Sequence, residues 1–133
     1  MKQQGLMTEE ITFKNFPFDN IPWALDNNGR FRTNAVKDTT TVLILYENNI
    51  PASYLCYDKR IDVVEIHYVQ TELSSQEKGL ATILMKEICK RYHKDFAIHA
   101  LSTSTNASGL LKKCGFEQIR EVEWILPKEK QTE

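Results

Sequence analysis

Apolar positions follow two different periods along this chain. From Thr41 to Val69 they come in short, β-branched runs; from Leu80 to Tyr92 they recur at a spacing of four. The first pattern predicts strands and the second an amphipathic helix. Thr41 to Tyr46 reads as a strand, Asn48-Asn49 as a turn, and Ile50 to Tyr57 as the hairpin partner. Lys59-Arg60 turns again, and Ile61 to Val69 is a further strand. Strict alternation puts Val63, Glu65, His67 and Val69 on one face, and Val64, Ile66 and Tyr68 on the other.

A helix is predicted over Lys78 to His93, with Leu80, Leu84, Ile88 and Tyr92 as its apolar stripe and Ala81, Ile83 and Met85 beside it. Phe96 to Leu101 follows as a short buried strand and Ser102 to Asn106 as a polar cap region. Ala107 to Lys113 is a short helix stopped by Gly115, and Ile119 to Leu126 is a last strand ended by Pro127. Before Thr41 the pattern weakens. Glu10 to Phe13 is a first strand, and residues 15–40 are irregular, with room for one short helix at Ile21 to Leu25 opened by Pro22. Residues 1–8 and 127–133 are polar and expected to be loose tails. Strands first, then β-α-β-α-β, define a mixed α/β fold, expected as a single domain over residues 1–133.

Composition narrows the function classes. Hydrophobic residues are 41% and charged residues 26%, which is ordinary for a folded domain, and the net charge of −1 supplies no basic field for nucleic acid. Direct nucleic-acid binding is therefore not expected. Cys56, Cys89 and Cys114 form an odd set with no Cys-x-x-Cys spacing, which argues against a disulfide framework and against a zinc site. No apolar run approaches the roughly 18 residues of a membrane span. With no run of signal-peptide length in Met1 to Ile11, a cytoplasmic location is expected.

The chemistry concentrates between Glu65 and Ala81. A strand leads through a polar loop into Gln76-x-x-Gly79-x-Ala81, and the helix follows at once. The first N–H groups of a helix lack intrahelical partners and carry partial positive charge, so they can hold phosphate. Glycine lets the backbone approach such a ligand, and Lys78 adds positive charge. The same residues also suit a plain tight turn.

In this context the loop resembles the acyl-CoA pyrophosphate loop of the GNAT superfamily of N-acetyltransferases. Ala107-Ser-Gly-Leu-Leu-Lys-Lys-Cys-Gly-Phe116 is similar to the superfamily's later motif, a short helix closing on Lys-x-Gly-Phe, at the expected distance from the first. The resemblance covers roughly residues 41–126. It is nearest to the histone-acetyltransferase branch, where a strand beginning Glu-Ile runs without gaps into the loop, as Glu65-Ile66 does here.

The resemblance implies a mixed, mostly antiparallel sheet splayed between two central parallel strands and flanked by helices. Acetyl-CoA is the implied co-substrate, with no metal. The backbone amides of Gln76, Lys78, Gly79, Leu80 and Ala81 would hold its pyrophosphate, with Glu77 and Ala107 beside it. The backbone of Val69 and Thr71 would pair with the pantetheine arm, and the Val69 N–H would polarise the thioester carbonyl. Glu65 falls on the position of the branch's general base. The expected partner is a primary amine, on a small molecule or a protein lysine, and the protein is expected as a monomer or a homodimer pairing through Ile119–Leu126.

Two departures qualify this picture. Leu111 stands where many members have the Tyr that protonates the leaving thiolate. The segment before Thr41 is short and Pro-containing where two helices usually wall the acceptor site. The catalytic alternatives also remain open at this level. A carboxylate in a partly buried cleft can be tuned to take a proton, but Glu65 also suits an exposed position on a half-solvated sheet. His67, two residues on, could assist or act as base itself, or be hydrogen-bonded structure. Trp23 and Phe31 are candidates for lining an acceptor site. A non-catalytic acyl-CoA-binding or interaction module is the alternative to an enzyme.

Overall fold

A computed structural model describes residues 5–101 and 105–128. Seven strands form one sheet in the order β1-β2-β3-β4-β5-β7-β6. Strands β2 (Thr41–Glu47) and β3 (Ile50–Lys59) are buried on both faces, which explains their continuous apolar runs. The turn between them takes positive φ at Asn48 (53°) and Asn49 (69°), the conformation that a two-residue hairpin requires. Strand β1 (Leu6–Thr12) pairs with β2 along its full length, so the chain is already ordered from Leu6, ahead of the expected start at Glu10. Its Glu9-Glu10 pair lacks strand propensity, and pairing with β2 overrides that.

One face of the sheet is covered by α1 (Leu80–Tyr92), which buries Leu80, Leu84, Met85 and Ile88 against Leu43, Leu55, Tyr57, Val64 and Ile98. Leu84 is fully buried in that cluster, so Leu84→Ala is expected to cost about 2–5 kcal/mol of stability, read as a lower denaturant midpoint at unchanged slope. The other face is covered by the irregular segment 13–40. Phe13, Phe16, Phe18 and Phe31 pack there on Tyr54, with Phe13–Phe31 centroids 4.8 Å apart and Phe16–Tyr54 5.3 Å. The helix expected at Ile21–Leu25 is one 3-10 turn, Pro22–Ala24. Tyr54 donates to Gln70 Oε1 (2.6 Å) and Gln70 Nε2 donates to the Trp23 carbonyl (3.1 Å), which ties this segment to the sheet.

Three further expectations are corrected. The helix begins at Leu80, because Leu73–Lys78 forms a separate 3-10 segment. The last strand is split into β6 (Glu117–Gln118) and β7 (Glu123–Leu126) by a turn closed through Arg120 and Glu123. Strand β7 is paired on both sides, by β5 (Ala97–Leu101) and β6, so it offers no free edge for a homodimer. The cap region expected at Ser102–Asn106 lies partly outside the described residues, as do the outer ends of both tails. Helix α2 (Thr105–Lys113) ends at Gly115, whose φ is 92°, as the glycine position predicts.

A cleft between splayed parallel strands

Strand β4 (Val63–Thr71) lies antiparallel to β3 and parallel to β5. The parallel ladder runs from Val63↔Ala97 to Ile66↔Ala100 and stops there, while β4 continues to Thr71. Beyond Ile66 the side of β4 that faced β5 has no partner strand among the described residues. That gap is the cleft.

A bulge sets what the cleft wall presents. Cys56 pairs with Tyr68 and Tyr57 with Ile66, so His67 is an extra residue in β4. Strict alternation therefore fails at this point. Val69 joins Val64 and Ile66 on the α1 face, and Tyr68 joins Glu65 on the opposite face. Two cavities meet along the gap. One, of 510 Å³, is walled by Arg32, Thr33, His67, Tyr68, Val69 and Leu111, among others. The second, of 770 Å³, runs past Thr71, Gln76, Gly79, Ala81, Thr82 and Lys113. Val69, Ala107 and Leu110 border both.

The loop at the second cavity fits a phosphate. Glu72 caps the 3-10 segment, its carboxylate accepting from the Ser74 N–H at 3.0 Å and from the Ser74 hydroxyl. Gly79 then turns the chain at φ 74° into α1, with no side chain capping the helix and no acidic residue in its first turn. A Cβ at Gly79 would meet nothing within 4 Å, so the backbone there borders open space. Gln76 Nε2 donates to the Thr71 carbonyl at 3.3 Å and steadies the loop against β4. The Thr71 hydroxyl is 2.9 Å from that of Ser53.

Not every expected residue comes to the cleft. Lys78 Nζ is ion-paired to Glu47 (3.0 Å) and points away from the second cavity, whose cation is Lys113, which the sequence reading missed. Leu80 contributes its backbone only, because its side chain is in the core. The side chain of Glu77 lies outside the described residues. Glu65 is one-third exposed, pairs across the sheet with Asp58 and His99, and is held by Arg60 Nε at 2.5 Å. It does not line the 510 Å³ cavity, whereas His67 does. His67 Nε2 lies 2.8 Å from Asp58 Oδ2, which also accepts from the Thr40 hydroxyl at 3.0 Å, and Thr40 is fully buried. Trp23 and Phe31 pack in the aromatic cluster, and Arg32 and Thr33 line the cavity instead. Burial pushes the Tyr68 phenol up, with Arg32 opposing the shift, and pushes the Cys56 thiol up to about 12, so that thiol is inert. Among the described residues no group of His, Cys, Asp and Glu could hold a metal, and no helix is long and apolar enough to cross a membrane.

Comparison with known proteins agrees with this geometry. The fold resembles the crystal structure of the ribosomal-protein-S18-alanine N-acetyltransferase from Escherichia coli, with TM-score 0.70 and 12% identity over 96% of this chain and 97% of that one. It resembles equally a Desulfovibrio desulfuricans protein described as a candidate acetyltransferase of the GNAT family, with TM-score 0.70 and 12% identity over 93% and 99% of the two chains. A Bacillus subtilis acetyltransferase solved in complex with CoA matches at TM-score 0.57 and 20% identity, over 66% and 76%. No curated protein sequence matches the chain. The family model described as FR47-like protein matches residues 56–125, which hold β4, the loop, α1, β5 and α2. The chain belongs to the FR47-like protein family, and its fold is the one these acetyltransferase structures share.

Proposed function

We propose that the protein is an acetyl-CoA-dependent N-acetyltransferase that moves an acetyl group directly to a primary amine in a ternary complex. The observation that carries this reading is the continuity of the two cavities along the open side of β4. One end offers uncapped helix amides and the other offers groups able to handle a proton.

The amides of Gln76, Lys78, Gly79, Leu80 and Ala81, with Glu77 in the same loop, hold the pyrophosphate of acetyl-CoA, and Ala107 flanks it. The backbone of Val69 and Thr71 pairs with the pantetheine arm in the place a sheet strand would take. Lys113 adds charge, so Lys113→Met is expected to raise the Kd for acetyl-CoA about three- to tenfold, with the difference shrinking at high salt. The Val69 N–H polarises the thioester carbonyl. Acetyl-CoA supplies the activated acyl group.

An amine attacks only as the free base, and a lysine-type amine has a reference pKa of about 10.4, so a proton must first be taken up. Glu65 is the general base by its place in β4. It accepts that proton directly or through a water, the amine nitrogen bonds the acetyl carbon, the C–S bond breaks to release the thiolate, and the second proton on the nitrogen passes to the thiolate or to solvent as the amide forms. No acid is needed at Leu111, because a simple thiol has a pKa of about 8.5. A second reading makes His67 the base. It is favoured by the ring's place in the cavity wall and by its bond to Asp58, which fixes one nitrogen and leaves the other without a partner among the described residues.

The acceptor is a primary amine on a small molecule or a protein lysine; that the Escherichia coli structure of the same fold is named for a protein alanine supports an amine acceptor. The protein works as a monomer or homodimer in the cytoplasm. Release of free thiol from acetyl-CoA, dependent on an added amine, tests the activity.

A further inference from the structure

We propose that the acceptor is a small amine that also carries a carboxylate, and that Arg32 receives that carboxylate. The inference rests on the acetyltransferase reading of the same cleft.

Arg32 borders the 510 Å³ cavity beside His67, Tyr68 and Val69. Its place is built rather than incidental. Asp26 Oδ1 accepts from the N–H groups of Asn28 (2.8 Å) and Arg30 (3.0 Å), and Gly29 takes φ 75° in the turn they close. The Asp26 N–H donates to the Arg30 carbonyl at 2.8 Å, and Leu25 bridges to Phe31. Phe31 is anchored on Phe13 and Tyr54. This small hairpin delivers Arg32 to the cavity mouth, where Nη2 donates to the Leu25 carbonyl at 3.1 Å.

That bond uses one of the five donors of a guanidinium. Arg60, Arg91 and Arg120 each have a carboxylate partner, whereas Arg30 and Arg32 have none among the described residues, and of these two only Arg32 lines the cavity. Among the described residues no other arginine or lysine lines this cavity.

The consequence is electrostatic. An acceptor arrives mostly as an ammonium, and a guanidinium at the cavity mouth repels it. A polycation such as a polyamine meets the worst of this. A carboxylate on the same molecule reverses the sign and gains a charge-assisted, planar partner. The cavity volume suits a small molecule.

The test requires no turnover. N-acetylglycine and N-acetylglycinamide share a skeleton and differ by a carboxylate against a neutral amide. Each is titrated into the full chain and followed by NMR at the Arg32 Nε–H. The acid is expected to bind about five- to tenfold more tightly and to shift that resonance saturably. Arg32→Met and Arg32→Gln are each expected to bring the ratio to about one, and Arg32→Lys to keep part of it. Equal affinities in the unaltered protein overturn the proposal, as does no binding of either compound or a preference that survives in both variants. A CoA titration that moves the Arg32 resonance, when the acid does not, also overturns it by assigning Arg32 to the coenzyme. Selective carboxylate binding in a protein that acetylates no amine would uphold the Arg32 site and remove the acetyltransferase reading alone.

Discussion

Gly79→Glu is expected to raise the Kd for acetyl-CoA by about 100-fold or more, measured by calorimetry. Two effects combine. The residue sits at φ 74°, which costs a side chain about 1–2 kcal/mol in backbone strain. The larger effect is charge, because a Cβ at this position meets no neighbour and the carboxylate extends into the space the loop borders. Like charges about 4 Å apart repel by about 4 kcal/mol at an effective dielectric of 20, and solvent at an open site reduces this to about 2–3 kcal/mol. That is about a 100-fold loss. Gly79→Ala carries the strain without the charge, so its Kd is expected to change far less. Affinity for Gly79→Glu equal to that of the unaltered protein would mean that the loop is only a turn between β4 and α1.

The second large effect concerns the proton. Glu65→Gln keeps the shape of the side chain and the strand, and removes the carboxylate that can accept a proton. General-base catalysis contributes about 10²- to 10⁴-fold, and a loss of that size in kcat/KM is expected, with the pH dependence of the remaining activity altered. The fold is expected to be unchanged, because Glu65 is partly exposed and its Arg60 partner is more so. His67→Gln is the companion variant. With Glu65 as base, His67→Gln loses less than Glu65→Gln. If the order is reversed, and Asp58→Asn follows His67→Gln, the proton goes to the imidazole that lines the cavity. Unchanged transfer at every pH in both variants would leave β4 without a base.

The sequence carried the layered plan and much of the site. Continuous apolar runs at Thr41–Tyr46 and Ile50–Tyr57 are what strands buried on both faces require, and both were legible. The spacing of four from Leu80 to Ile88 marked the face of α1 that meets the sheet. The loop from Gln76 to Ala81 was legible because a strand, a glycine at positive φ and a helix start are consecutive in the chain.

What was hidden depends on contacts distant in sequence. The bulge at His67 arises from pairing with Cys56 and Tyr57, and it moved Val69 and Tyr68 to faces that alternation assigns the other way. Lys78 was drawn to Glu47, 31 positions earlier, and so was lost to the loop cavity. Lys113 reached that cavity because α2 borders it opposite the start of α1, a tertiary fact with no local signature. Arg32 gave no signal at all. Its neighbours Trp23 and Phe31 looked like the wall of an acceptor site, and their aromatic surface went into the core instead, as apolar bulk generally does.

The most direct test of the account is free-thiol release from acetyl-CoA, followed continuously while single amines are added to the unaltered protein. Release is expected to rise and saturate with a primary amine, with matching formation of the N-acetyl product, and to fall by about 10²-fold or more in Glu65→Gln. Tight acetyl-CoA binding with no amine-dependent release from any amine, small or protein-borne, would contradict it. The same cleft would then belong to a module that binds the coenzyme without turning it over.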